Sequence, residues 1–208
     1  QSLELISLVS SGAAAIQRKK STICNGANLA FRKKEYNDIP LDVFHDFSTD
    51  DVSLLYYFKK NYKDGILFSK DLDSIVETNS NPNLISQFQQ KLRWISNSKN
   101  IRDWQSFYVA SVVFLINSIL SILLVLTFWS IFYDFDEMYI SLINLFVVLF
   151  IKYFIDYLFL KEVLDFFRRK DLLIYLLPFE IINAIYIVII ITLSLVYSPK
   201  WKGRKFGM

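Results

Sequence analysis

Three groups of residues in this 208-residue chain have types and spacings suited to chemistry. Asp50 and Asp51 are adjacent carboxylates ahead of a helix-forming run, residues 52–60, whose Leu54, Leu55 and Phe58 should point inward. A carboxylate at a helix start that faces a cleft can serve as a general base. The same pair is also what the positive end of a helix favours, with Ser48 or Thr49 as the cap. Gln90, Arg93 and Trp94 lie three and four residues apart on a helix predicted over residues 83–97, so they share a face. Opposite that face runs an apolar stripe of Leu84, Ile85, Phe88, Leu92 and Ile95. One side of the helix can enter a core while the other presents an amide, a guanidinium and an indole. Arg and Trp in such a place also suit a helix anchored at a membrane surface. The third group is the run from Cys24 through Asn25, Gly26 and Ala27 to Asn28. It reads either as a tight turn, with Gly26 free to take positive φ, or as a loop whose amides face a polar ligand.

Composition limits what these groups can belong to. Hydrophobic residues make up 53% of the chain and aromatics 17%, with a mean hydropathy of +0.32, which is high for a soluble domain. The apolar residues concentrate after Trp104. A net charge of +3 is too small to imply nucleic acid and suits an anionic membrane face. With Cys24 alone, no intrachain disulfide can form, which agrees with a reducing compartment. With His45 alone, a multi-histidine metal site is excluded.

The elements that would position these residues follow in order. Residues 1–16 read as a helix with Leu5, Leu8 and Val9 on one face, ending in small residues, 10–15, where another backbone can approach. The chain opens without Met or a signal pattern, as though inside a helix, and is expected to be a fragment whose upstream half is missing. Leu5, Leu8 and Val9 should then lie exposed. Residues 23–29, 65–69 and 74–78 are strand candidates, with a turn at Asp64-Gly65 and a break at 79–83 that starts the central helix. Strands alternating with helices predict an α/β layered domain over residues 1–105. Residues 107–133, 138–160 and 173–196 are each long and apolar enough to span a bilayer. Lys152 and Asp156 sit one turn apart inside the second span, either as a packing pair or as the lining of a polar conduit. The first loop, 134–137, is acidic and the second, 161–171, is basic, which places the second loop and the domain before the spans in the cytoplasm. Three full spans, the expected number, put the basic tail, 198–208, on the other side, against the same rule.

Cys24 to Asn28, then Thr49-Asp50-Asp51, then Gln90-x-x-Arg93-Trp94, all ahead of membrane spans, together resemble the C-terminal half of the membrane-embedded family 2 glycosyltransferases. That group includes cellulose, chitin, hyaluronan and poly-N-acetylglucosamine synthases. The tail Trp201-Lys202-Gly203-Arg204 is similar to the ending of bacterial members. The resemblance implies a partial GT-A-like α/β domain over 1–105, an α-helical bundle of about three spans over 106–197, and a basic tail. It implies an inverting transfer from a nucleotide-diphosphate sugar to a polysaccharide or lipid-linked acceptor at the bacterial inner membrane, with the catalytic part cytoplasmic. Asp51 matches the catalytic base, and Asp50 stands where the family has Glu. Gln90 and Arg93 match residues facing the donor diphosphate, and Trp94 one beside the acceptor sugar. Asn25, Gly26 and Asn28 resemble a segment by the acceptor cleft. The divalent Mg or Mn of the complete enzyme would be held by an upstream Asp-x-Asp motif that has no counterpart here. The residue types fit that chemistry: a base for the acceptor hydroxyl, a cationic fork for phosphate oxygens, and a flat apolar surface for a sugar ring. The competing expectation is a non-catalytic membrane scaffold or transport subunit with an amphipathic cytoplasmic domain, which requires neither the acidic pair nor the polar helix face.

Overall fold

In a computed structural model, the structure describes residues 1–44, 50–62, 64–98, 103–133, 135–196, 200–201 and 204–205. The chain forms two compact units, one of Gln1–Ser106 with Ser198–Met208 and the other of Phe107–Tyr197. Its helices are α1 (Ser2–Gln17), α2 (Lys33–Asn37), α3 (Asp50–Asn61), α4 (Leu84–Ser98), α5 (Trp104–Tyr133), α6 (Phe135–Phe166) and α7 (Leu176–Val196). Short 3-10 turns lie at Leu41–Phe44, Leu72–Ser74 and Lys170–Tyr175.

The expected α/β, GT-A-like domain is overturned: among the described residues before 106 there is no strand. Residues 23–29, 65–69 and 74–78 carry no ladder, and the strands β1 (Lys200–Trp201) and β2 (Arg204–Lys205) pair only with each other, in the tail. A strand forms when a neighbouring strand takes its amides and carbonyls. The 22–28 segment finds other partners. A Cβ added to Gly12 of α1 would come within 3.3 Å of the Ile23 carbonyl, so the small-residue run does admit another backbone. Cys24 and Gly26 bond to Asp51, and the Asn28 side chain donates to the Ser74 carbonyl.

The core of the first unit gathers Leu3, Ile39, Leu54, Leu55 and Leu92. Ser53, Leu54 and Leu55 are buried on α3, while Phe58 is half-buried. Helix α4 starts where the break at 79–83 predicts, because the Asn83 carboxamide oxygen accepts from the Ser86 amide at 2.8 Å as an N-cap. Its stripe does not go inward as a whole. Leu92 is buried, but Leu84 and Ile85 are 80% and 70% exposed, so the first turn overhangs the core. The expected outer residues Gln90, Arg93 and Trp94 are half-buried, and so are Leu5, Leu8 and Val9 of α1.

Helix α5 is capped by Asp103, whose Oδ2 accepts from both the amide and the hydroxyl of Ser106 at 2.9 Å. Asp103 Oδ1 pairs with Lys59 of α3 at 2.9 Å. Burial pushes the Asp103 carboxyl up, but the Lys59 bond and the Ser106 amide and hydroxyl outweigh it and hold the group below the ordinary carboxylate range. A lowered folded value contributes stability above the unfolded value and loses it as pH falls through the folded one. The charged group facing Asp103 is Lys59, with the Tyr56 phenol nearby. Asp103→Asn should therefore be less stable than the parent at neutral pH, and the gap should close below about pH 4. Denaturant melts in detergent across that range check this.

Three helices among the described residues are long and apolar enough to cross a membrane, with spans at Trp104–Tyr133, Asp136–Phe166 and Lys170–Val196 and mean hydropathies of 2.7, 2.1 and 2.3, and from Phe107 on they make up the second unit. The basic stretch after 160, expected as a loop, is helical to Phe166. The chain then turns at Arg168, whose φ of 54° is left-handed, and the Arg169 amide closes the end on the Leu164 carbonyl at 2.8 Å. The Ser130 and Ser141 hydroxyls join α5 to α6 at 3.0 Å.

Lys152 pairs with Asp156 at 2.7 Å, as the one-turn spacing predicts, and also with Glu180 of α7. Glu180 is 2% exposed. Removing one member of such a buried cluster strands a charge, which costs about 3–5 kcal/mol. Lys152→Met should lower the melting temperature in detergent strongly. The triple change Lys152→Met, Asp156→Leu, Glu180→Leu should recover most of the loss, and a triple variant no more stable than the single would count against a charge left uncompensated.

Candidate functional site

Two networks hold the residues singled out in the sequence, one at the start of α3 and the other along the middle of α4. The first is built on the start of α3. The Gly26 amide donates to Asp51 Oδ2 at 3.1 Å, the Val52 amide to Asp51 Oδ1 at 2.9 Å, and the Cys24 thiol to the Asp51 carbonyl at 3.2 Å. The turn that meets Asp51 is made locally. The Asn25 side chain accepts from the Ala27 amide at 3.1 Å, and its carbonyl accepts from the Asn28 amide at 3.1 Å. Gly26 does not use the positive φ open to it. It is needed for proximity, since a Cβ there would lie 2.9 Å from Asp51 Oδ2. The structure thus brings Asp51 together with Asn25, Gly26 and Asn28. Asp50 opens α3, and its side chain lies outside what the structure describes, as do Ser48, Thr49 and His45.

The second network is built on α4. Gln90 accepts from the Asn81 side chain at 2.9 Å, and the Asn81 amide donates to the Gln1 side chain at 2.8 Å. Lys91 pairs with Glu4 of α1 at 2.8 Å and lies 4.4 Å from the centre of the Trp94 ring. An ammonium over an indole is attracted by the ring's quadrupole, so one face of Trp94 is already engaged. Arg93 is half-buried on the same helix. The bonds of the first network lead to the 24–28 turn and those of the second to α1, and none of those named joins the two. Sequence reasoning missed Lys91 and Glu4. Lys91 stands in the middle of the Gln-x-x-Arg-Trp run, and its partner lies far away in sequence, where periodicity carries no information.

Nothing in its surroundings activates Cys24 as a nucleophile. Burial, and then the Asp51 charge, push its thiol up to about 12. Among the described residues, no group of three His, Cys, Asp or Glu side chains could hold a metal ion. The divalent metal implied by the resemblance therefore has no fitting ligand set among the described residues. No protein-family model, curated protein or solved structure matches the chain.

The thiol makes the Asp51 site measurable. At pH 8, alkylation of Cys24 in the detergent-solubilised protein should be about 10³-fold slower than that of a free thiol, because the thiolate is the reacting form. Asp51→Asn should raise the rate only modestly, since burial is the larger cause. Labelling of the parent protein as fast as free cysteine would contradict the site as drawn.

Proposed function

We propose that this membrane protein takes part in an inverting glycosyl transfer, with Asp51 as the base. It would act at the cytoplasmic face of a bacterial plasma membrane, on a nucleotide-diphosphate sugar and a polysaccharide or lipid-linked acceptor. The observation that carries the reading is the seating of Asp51. The carboxylate is half-buried at the start of a helix, oriented by the Gly26 and Val52 amides, and borders the turn that carries Asn25 and Asn28. In this reading, Asp51 takes the proton from an acceptor hydroxyl as that oxygen attacks the anomeric carbon. The bond from that carbon to the diphosphate oxygen breaks, and the leaving group departs with the electron pair. Arg93 meets its charge and Gln90 hydrogen-bonds beside it. An acceptor ring would take the Trp94 face opposite Lys91. The rival reading, a non-catalytic scaffold or transport subunit, draws on the Lys152–Asp156–Glu180 cluster, since ionisable groups inside spans often mark a polar path.

The natural protein that contains this sequence, in liposomes, is the material for the test. Sugar transfer from a panel of nucleotide-diphosphate sugars should be detectable with at least one donor. Asp51→Asn should lower it by about 10²- to 10⁴-fold while leaving donor binding in place. Turnover near the parent's level would remove Asp51 as the base. A parent protein inactive with every donor would favour the scaffold.

A further inference from the structure

A dense polar cluster of the first unit lies away from the candidate site, at the far end of the helix that carries Asp51. Lys59 bonds to Asp103 at 2.9 Å and to the Gln105 side chain at 3.1 Å. Asp103 also takes the amide and hydroxyl of Ser106, and the Ser106 hydroxyl meets the Tyr56 hydroxyl at 2.7 Å. The Lys59 ammonium lies 5.7 Å from the centre of the Tyr56 ring. Lys59 and Asp103 side chains are only 19% and 18% exposed, so water screens the pair less than it would a surface one. Five side chains, from α3, the Asp103 cap and the start of α5, thus close on one another. A helix cap alone would need only Asp103 and Ser106.

We propose that Lys59 and Asp103 are positioning residues for Asp51: they fix the end of α3 on the first turn of α5 and thereby set where the carboxylate at the other end stands. The helix supplies the lever. Asp51 and Lys59 are eight positions apart on α3, about 12 Å at the helical rise of 1.5 Å per residue. Ser53, Leu54 and Leu55 are buried between them and give the rod its pivot. Among the described residues, the contacts made from outside the helix to Asp51 are the Gly26 amide and the Cys24 thiol. Those are two single hydrogen bonds, one of them from sulfur, and so weaker than the charged cluster at the other end. Release of Lys59 lets α3 rock about Leu54 and Leu55, and the Cys24–Asp51 contact opens first. The importance of this positioning rests on Asp51 being the base, but the position itself can be read without any enzymatic assay.

Cys24 is the reporter, since the chain has one cysteine and its thiol touches the Asp51 carbonyl. Alkylation of Cys24 is followed in the detergent-solubilised protein for the parent, Lys59→Met, Lys59→Arg and Asp103→Ser. Serine keeps a helix cap but cannot pair with Lys59. Lys59→Met and Asp103→Ser should each label about tenfold faster, the scale expected for loss of a charge-assisted bond that restrains a local opening. Lys59→Arg, which keeps the pair, should label at the parent's rate. Circular dichroism shows whether the variants keep their helices, and labelling in denaturant gives the rate of an unfolded chain. If Asp103→Ser and Lys59→Met keep their helices and label at the parent's rate, Asp103 is a cap and the proposal fails. If Lys59→Arg labels as fast as Lys59→Met, packing rather than the ion pair holds the helix, and the proposal also fails. Glycosyl transfer enters neither outcome, so failure of the transferase reading leaves this result standing.

Discussion

Each backbone amide that a helix or turn leaves open must find an oxygen, and at five described places in the first unit a side chain supplies it. Asp103 serves Ser106, Asn83 serves Ser86, Asp71 serves Asp73, Asn25 serves Ala27, and Asp51 serves Gly26. A sheet would have satisfied such groups wholesale, through ladders. Among the described residues before 106 there is no ladder, so that part of the fold depends on short polar side chains at particular positions, and the loss of a cap costs about 1 kcal/mol. In the proposed reading Asp51 would stand in two roles at once. The bonds that would orient it as a base are the same ones that close the 24–28 turn.

The charged groups divide by surroundings in the same way. In the first unit, the exposed pair of Lys19 with Asp64 at 2.6 Å contributes little, because water screens both partners. The half-buried pairs, Lys59 with Asp103 and Lys91 with Glu4, bridge elements distant in sequence and act as fixed points. Among the spans, Lys152 answers two carboxylates, one from its own helix and one from α7. Two carboxylates and one ammonium give the cluster a net negative formal charge, and such a charge is costly away from water.

Much of this arrangement is legible in the sequence where the signal is local. The Asn83 cap, the inward Leu54 and Leu55, the approach of a backbone to Gly12 and the one-turn pair of Lys152 with Asp156 all follow from spacings of a few residues. The three spans follow from length and apolarity. What misleads is whatever depends on a distant partner. Residues 23–29 have strand-like composition, but composition states a preference for a neighbour and does not supply one. The apolar stripe of α4 is real as a pattern, yet Leu84 and Ile85 extend past the end of the core that takes Leu92. Glu180 and Lys91 were not readable as partners because Lys152 and Glu4 lie on other helices. Within the candidate site, the meeting of Asp51 with the Asn25–Asn28 turn could be anticipated only as order along the chain, not as contact.

The closeness of Gly26 to Asp51 bears on how this chain can change over evolutionary time. A methyl group at position 26 would have to occupy space already filled by a carboxylate oxygen. Any side chain there requires the Asp51 carboxylate to turn away from the Gly26 amide, position 51 to change, or α3 to shift its start. Drift at the two positions is therefore coupled. A lineage that keeps the carboxylate at 51 seated on this turn is held to glycine at 26, and one that relinquishes that seat frees the turn to vary.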